Sequence, residues 1–470
     1  MKEKKYNRRS FIGTASCASL GMATFFSTFF DLHKVNAAVA NKTKSHQPPG
    51  DYRALVCILL AGGNDSYNML IPKGASEYAE YSVTRSNLAI PNNQILDINP
   101  ATYNAQQLGL HPSMPEVQQL FGQGKLAFLA NVGTMIEPTT KQMIYSDQAK
   151  LPLGLFSHAD QIQQWQTSLP NSRSAIGWGG RLADILAAAN SNQNLSMNVS
   201  LAGNNVFQAG NQTIAYSIEP SGTGSIGING FDNDEDPFQM IKSNATKSLL
   251  EQTYQDIFKK TYARTINQSQ ASHEQFSSAI GGVDLNTRFS NNYVSQSMQM
   301  IAKTIASRQS LGMQKQTFFL TFGGWDHHDE VLNAQKNMLP VVSKALDEFY
   351  KATVELGVAD QVTTFTISDF ARTLTSNGNG TDHAWGGNVM VMGDAVKGGE
   401  IYGQYPSLAL RNNLDLGNGV LVPTTSTDEY FAELALWFGL SKSDLPLVLP
   451  NLANFYNING SANPIGFMNN

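Results

Sequence analysis

From Ala54 to Ala61 the chain runs Ala-Leu-Val-Cys-Ile-Leu-Leu-Ala without a polar residue, and Gly62-Gly63 end the run. A strand with one wet face alternates apolar and polar side chains. An unbroken apolar run needs cover on both faces, which is the situation of a central strand in a parallel sheet. The rest of the chain fits a layered α/β fold. Ser113, Pro115 and Glu116 announce a helix to about Phe121, Gly122 and Gly124 stop it, and residues 125–132 form the next apolar strand. A strand at 317–322, a helix over about 330–356 and a strand at 362–367 make a βαβ unit, whose crossover implies parallel strands. Residues 388–392 read as a further strand and 427–438 as a helix, while 177–189 and much of 246–308 have helical periodicity. The Asn-, Gly- and Ser-rich stretch 190–235 reads as an irregular insertion with brief strand-like pieces such as 197–201.

The first forty residues read as an export signal. Arg8-Arg9 precedes Ser10-Phe11-Ile12 and an uncharged, mostly apolar run to Phe30, and Ala37-Ala38-Val39-Ala40 offers small-residue cleavage sites. The expectation is export through the twin-arginine (Tat) translocase to the periplasm or cell surface. Cleavage would leave no membrane anchor, and residues 41–51, with Pro48-Pro49-Gly50, would form a tether ahead of a single domain over 52–470. Beyond the leader the only cysteine is Cys57, which excludes an intramolecular disulfide in the processed chain. The formal charge of the whole sequence is −5; the leader holds six basic and two acidic side chains, so the remainder carries about −9. An acidic chain without basic runs is a poor partner for nucleic acid.

Chemistry concentrates where the strands end. Gly323-Gly324-Trp325-Asp326-His327-His328-Asp329 follows the 317–322 strand, and imidazole with carboxylate suits zinc, manganese or iron. The same residues also suit a polar turn before the next helix. Open parallel sheets bind ligands beyond the carboxyl ends of their strands. Asp65 stands four residues after the first strand, Asp326 and His328 occupy the same place after the 317–322 strand, Asp369 follows the 362–367 strand, and His383 lies in the Gly-rich loop beyond it. Five side chains would thus converge as ligands for one or two ions. In an extended segment His327 points away from His328, so only one faces inward, and His328 is the choice. Arg372 could orient an anionic substrate or pair with a carboxylate. Ser157 opens a helix ending at Trp165-Gln166-Thr167, where a serine can act as nucleophile or as N-cap; Ser66, beside Asp65, competes for the first role.

Taken in order, Leu59 to Asn68, Leu88 to Pro91, Leu110-His111-Pro112, Ser157-His158 with Trp165-Gln166-Thr167, Gly177-Trp178 with Gly180-Arg181, Asp326 with His328, Asp369 to Thr373, Gly380 to His383 and Pro423 to Ser426 resemble the bacterial exported family known as domain of unknown function 1501. That family looks like a distant branch of the alkaline phosphatase and sulfatase superfamily. The resemblance implies a doubly wound, mostly parallel α/β sheet with metal ligands on strand-end loops, and hydrolysis of phosphate or sulfate esters by a Ser, Thr or modified Cys nucleophile. It makes Asp65 the first-strand ligand, Asp326 and His328 ligands of one metal, Asp369 a ligand of a second, and His383 the last imidazole, with Phe370 where a second-metal histidine would stand. Counting back from Trp165 to the nucleophile position reaches His158 rather than Ser157. The expected catalytic residues are therefore Ser157, His158 and Arg372, and the expected cofactor is one or two divalent ions, zinc first, with manganese or calcium as the alternatives. The expected substrate is an anionic ester. A non-catalytic exported protein of the same fold, binding glycan or a protein partner, is the other reading, and an iron redox enzyme a third.

Overall fold

A computed structural model describes residues 52–103, 105–227 and 237–469; the expected leader, the tether up to Asp51 and the end of the expected insertion lie outside them. The described residues fall into two compact units, a larger one within 52–227 and 270–469 and a smaller one within 237–269. The described part of the smaller unit is helical, comprising Pro237–Glu251 and the start of Ile257–Gly281. The sheet and the candidate site belong to the larger unit. Among the described residues no helix is long and apolar enough to cross a membrane.

Among the described residues nine strands form the main sheet: β1 (Arg53–Ala61), β2 (Leu126–Gly133), β3 (Asn198–Ser200), β4 (Tyr216–Ser217), β5 (Lys315–Gly323), β6 (Val362–Ser368), β7 (Gly387–Met392), β8 (Ile401–Tyr402) and β9 (Thr425–Ser426). Their order is β8-β2-β7-β6-β1-β5-β3-β4, with β9 also paired to β2. β1 lies between β5 and β6 and is parallel to both. The alternation of side chains along β1 shows why its sequence has no polar face. Ala54, Val56, Ile58 and Leu60 join a core with Leu120, Phe121, Ile301, Leu339 and Phe349, whereas Leu55, Cys57 and Leu59 join a second core with Trp178, Leu182, Phe431 and Leu434. The helices Pro115–Gly122, Tyr293–Ala306 and Val331–Glu355 supply the first core; His158–Thr167, Trp178–Leu186 and Thr427–Phe438 supply the second. Helices thus cover both faces of a mostly parallel sheet. Cys57 is fully buried and burial pushes its thiol well up, as for an inert core cysteine.

Two parts of the sheet depart from simple winding. β7 runs antiparallel to β6 and β2, because the chain after β6 stays at the sheet rim through residues 369–386 and re-enters from that edge without a crossover helix. The described part of the stretch expected to be irregular, 190–227, adds β3 and β4 to the sheet edge. Its polar composition has a structural use. Asn190 accepts from the Gln314 and Lys315 amides, and Gln208 donates to the Val199 and Thr317 carbonyls, so side-chain amides take over hydrogen bonding that regular strands leave to the backbone.

The helix Thr427–Phe438 opens with a capping box between Ser426 and Glu429. Asp428, in its first turn, is fully buried, and burial outweighs its hydrogen bond from Asn451 and the charge of Arg181, raising its carboxyl from 3.8 to about 7. Between pH 4 and 7 the folded chain therefore holds a proton that the unfolded chain has released, so this residue favours folding at low pH and the benefit disappears as pH rises through 7. Chemical denaturation of Asp428→Asn across this range is expected to show a flatter pH dependence than the parent. An unchanged slope would contradict the assignment.

A candidate metal centre at the strand ends

The loops after β1, β5 and β6 meet at the carboxyl edge of the sheet. Gly62, at φ 121°, permits the contact: a Cβ there would lie 2.4 Å from the Asp326 amide nitrogen. The Trp325 amide donates to the Ala61 carbonyl at 3.1 Å, and the Gly62 amide donates to Asp369 Oδ1 at 3.0 Å. Asp326 and Asp369 are thereby fixed to the end of β1. Arg372 anchors Asp326 from below. Its side chain is fully buried, and it donates to Asp326 Oδ1 at 2.6 Å, to the Gly62 carbonyl at 3.4 Å and to both the hydroxyl and the carbonyl of Thr381.

Three imidazoles surround Asp326, and each is held by its Nδ1. His158 Nδ1 lies 2.7 Å from Asp369 Oδ2, His383 Nδ1 lies 2.8 Å from the Phe156 carbonyl, and His328 Nδ1 lies 3.2 Å from Asp382 Oδ1. Carboxylates and carbonyls only accept, so these partners place the proton on Nδ1 and leave a lone pair on each Nε2. The Nε2 atoms face Asp326: His158 at 3.4 Å from Oδ2, His383 at 3.3 Å and His328 at 3.1 Å from Oδ1. His328 and His383 bring their Nε2 atoms to 3.0 Å of each other. Two imidazole nitrogens at that separation are bridged either by one shared proton or by a metal ion. A tetrahedral zinc shell with bonds of about 2.0–2.1 Å has ligand–ligand edges of about 3.3 Å. His158, Asp326 and His383 offer ligand atoms within 4.8 Å of one another, and the donor set of this group with His328 alongside fits a metal ion.

Electrostatics agree. Burial works to raise Asp326, yet the hydrogen bond and charge of Arg372, with smaller help from His328 and His158, hold its carboxyl below the usual range. Burial lowers His383, which favours the neutral imidazole a metal needs. Burial raises Asp369, against the opposing pull of the Gly62 amide and His158. Asp326 and His328 keep 43% and 46% of their side chains exposed, so the centre is open to solutes. Phe370 closes it on the other side, its ring centroid 4.8 Å from His158 and 4.5 Å from His383.

Asp369 is thus the carboxylate that orients His158 rather than a member of the three-residue ligand group. Asp369→Asn is expected to weaken metal binding roughly 10–100-fold, the usual cost of losing an outer-shell partner. Zinc titration with a competing chelator would measure this, and unchanged affinity would remove the orienting role.

The other expected site residues have identifiable partners. Asp65 is fully buried in an ion pair with Arg85, itself fully buried and also bound to the Thr373 and Leu374 carbonyls. Ser157 is the N-cap of His158–Thr167, its Oγ accepting from the Asp160 amide at 3.5 Å, and Ser66 Oγ accepts from the Asn388 amide. His327 is buried where His328 is exposed. The supporting roles of Asp382, Arg85 and the Phe156 carbonyl were not legible beforehand. The one local hint was Asp382 beside His383.

Fold and site together define an α/β protein with an imidazole–carboxylate centre where its central strands end. The chain belongs to the family described as "Protein of unknown function (DUF1501)", which matches residues 52–447. None of the curated proteins matches it. Solved structures similar to it include Ps i-CgsB in complex with k-i-k-neocarrahexaose, at 9% identity over 86% of this chain and 78% of that one, TM-score 0.33. The PsFucS1 sulfatase from Pseudoalteromonas sp. is similar at 8% identity over 88% and 72%, TM-score 0.35. Lipooligosaccharide phosphoethanolamine transferase A (EptA) from Neisseria meningitidis is similar at 10% identity over 93% and 71%, TM-score 0.32.

Proposed function

We propose that this protein is an exported hydrolase of phosphate or sulfate esters that uses one divalent ion, zinc being the ion its ligands suit best. The observation that carries this reading is the convergence of three Nδ1-anchored imidazoles on Asp326 at an exposed strand edge. When bound, such an ion polarises an ester oxygen and lowers the pKa of water so that a nucleophile exists near neutral pH. The chain's residues supply the rest. His158, Asp326 and His383 would hold the ion, with His328 alongside and a fourth position left for water or the ester oxygen; Asp369, Asp382 and the Phe156 carbonyl keep the imidazoles in one tautomer; Arg372 keeps Asp326 ionised and aimed. Ser157 serves as cap, which leaves water to attack, and the N-terminal amides of His158–Thr167 favour developing negative charge beside it.

One ion rather than two follows from the neighbours of the remaining acids. The cation beside Asp65 is the Arg85 guanidinium, and an aromatic ring stands at Phe370. Export by the Tat route, proposed from Arg8-Arg9 and the apolar run after it, is tested by replacing both arginines with lysine and following the protein's location. The hydrolase is tested by metal analysis of the exported protein and turnover of aryl phosphates and sulfates with and without chelator. The expected result is about one zinc per chain, chelator-sensitive turnover, and activity retained in Ser157→Ala. Protein that binds no divalent metal would end this reading.

A further inference from the structure

Large apolar side chains scattered singly over a surface are ordinary, whereas a cluster of them marks a binding surface. Seven of the sixteen exposed large apolar side chains among the described residues fall within 238–262, on the two helices of the smaller unit. A helix that packs on a core buries its apolar stripe, and these two do the reverse. In Pro237–Glu251 the one buried residue is Ser243, while Ile241 and Leu249, on one face, are 69% and 56% exposed. In Ile257–Gly281 the later turns bury Phe276 and Ile280, but at its start Ile257, Phe258 and Tyr262 are each at least 61% exposed. The two helices are tied together: Asn267 Nδ2 donates to the Leu250 carbonyl at 3.2 Å, and the Tyr254 hydroxyl donates to the Leu249 carbonyl at 2.8 Å. The outward face therefore belongs to a bonded helical pair.

Charge says what covers that face. Residues 237–269 hold five basic side chains against Glu251 and Asp256, a net +3 in a chain whose formal charge is −5; the acids at 232, 234, 235 and 236 precede the first helix in sequence. Lys242 stands about two turns before Leu249 and Arg264 about two turns after Ile257, while Lys259 and Lys260 directly follow Phe258, so cations border the apolar stripe. Lys242, Lys259, Lys260 and Arg264 are all exposed. Apolar side chains bordered by long basic ones are the pattern of a helix that lies in a lipid headgroup layer. Independently of the hydrolase reading, we infer that this helical pair docks on an anionic lipid surface, with Ile241, Leu249, Ile257, Phe258 and Tyr262 in the acyl boundary and the basic side chains among the phosphates. Among the described residues no helix is long and apolar enough to cross a membrane, which suits a pair that lies on the surface. A second copy would bring an equally basic rim to the same face, and like charge opposes that pairing.

The test floats the exported protein with vesicles of phosphatidylcholine alone and of phosphatidylcholine containing about one third phosphatidylglycerol. Partition onto the anionic vesicles is expected to be about tenfold stronger or more, and this preference should shrink as salt rises from about 0.1 M to about 1 M and the screening length contracts from about 10 Å to about 3 Å. Phe258→Ser with Tyr262→Ser, both exposed in the free protein, should keep the denaturation midpoint and lose about tenfold or more on anionic vesicles. Lys259→Gln with Lys260→Gln keeps the apolar face and should lose most of the preference for anionic lipid. Comparison of parent with variants cancels any contribution of the leader. No binding to anionic vesicles, or binding that both variants leave unchanged, overturns the inference. A concentration-dependent dimer that Phe258→Ser with Tyr262→Ser dissolves would assign the face to a second copy and overturn it as well.

Discussion

Alanine at His383 is expected to leave a folded protein that no longer retains zinc through dialysis against a weak chelator. The imidazole removed belongs to the group His158, Asp326 and His383, its Nε2 3.0 Å from His328 Nε2 and 3.3 Å from Asp326 Oδ1. Its loss takes away a direct ligand, so the fall in affinity should exceed the roughly 10–100-fold expected of Asp369→Asn, which removes only an outer-shell carboxylate. Stability reports the same event. Zinc that binds only the folded chain stabilises it by about 2.7 kcal/mol at one hundred times its dissociation constant, and this increment should vanish in His383→Ala. The chain should fold regardless, because His383 is partly exposed and its ring packs at the sheet rim, against Phe370 and beside His158 and His328, rather than in the hydrophobic core. His273→Ala is the control: that histidine bonds Ser225, far along the chain from the ligand loops, and should keep full zinc. Equal zinc content and an equal zinc-induced shift in parent and His383→Ala would dispose of the centre as described.

The contrast between these two histidines shows which parts of the molecule could be read from sequence. The convergence of Asp326, His328 and His383 was legible because imidazole and carboxylate gather in short polar segments just after apolar strands, and the strand-end rule places such segments at one rim. β1 was legible for a related reason: burial on both faces leaves a run that no half-exposed strand needs. His158 was harder. Its role depends on Asp369, more than two hundred residues later, and a helix-starting Ser-His gives no sign of which residue turns inward. The Phe156 carbonyl is backbone, and no side-chain pattern announces it; Phe156 adopts φ 74°, a conformation seldom taken by an aromatic residue, and its carbonyl accepts from His383. The direction of β7 was hidden because periodicity identifies a strand without its orientation, and the edge strands β3 and β4 were hidden because Asn and Gln side chains there perform a backbone's work. Asp65 illustrates the commonest obstacle. An acid after a first strand offers the same signal whether it meets a metal or a guanidinium, and only the fold brings Arg85 to it.

That ambiguity has a sharp experimental form in Asp65→Ala. Neither Asp65 nor Arg85 has exposed side-chain surface, and Arg85 also ties the end of helix Ala75–Arg85 to the Thr373 and Leu374 carbonyls, just beyond Asp369. Removing the carboxylate strands a guanidinium in the interior, and breaking a buried pair in this way typically costs about 3–5 kcal/mol. Against a usual total of about 5–15 kcal/mol, the loss should appear as a large drop in the denaturation midpoint. The double variant Asp65→Ala, Arg85→Met should recover much of it, since apolar side chains in place of both partners leave no uncompensated charge. Through all of this the zinc bound per folded chain should stay near one, because the imidazoles and Asp326 take their positions from other residues. The opposite pattern, zinc lost with the midpoint hardly moved, would mean that Asp65 serves a metal and that the guanidinium leaves it when the ion arrives.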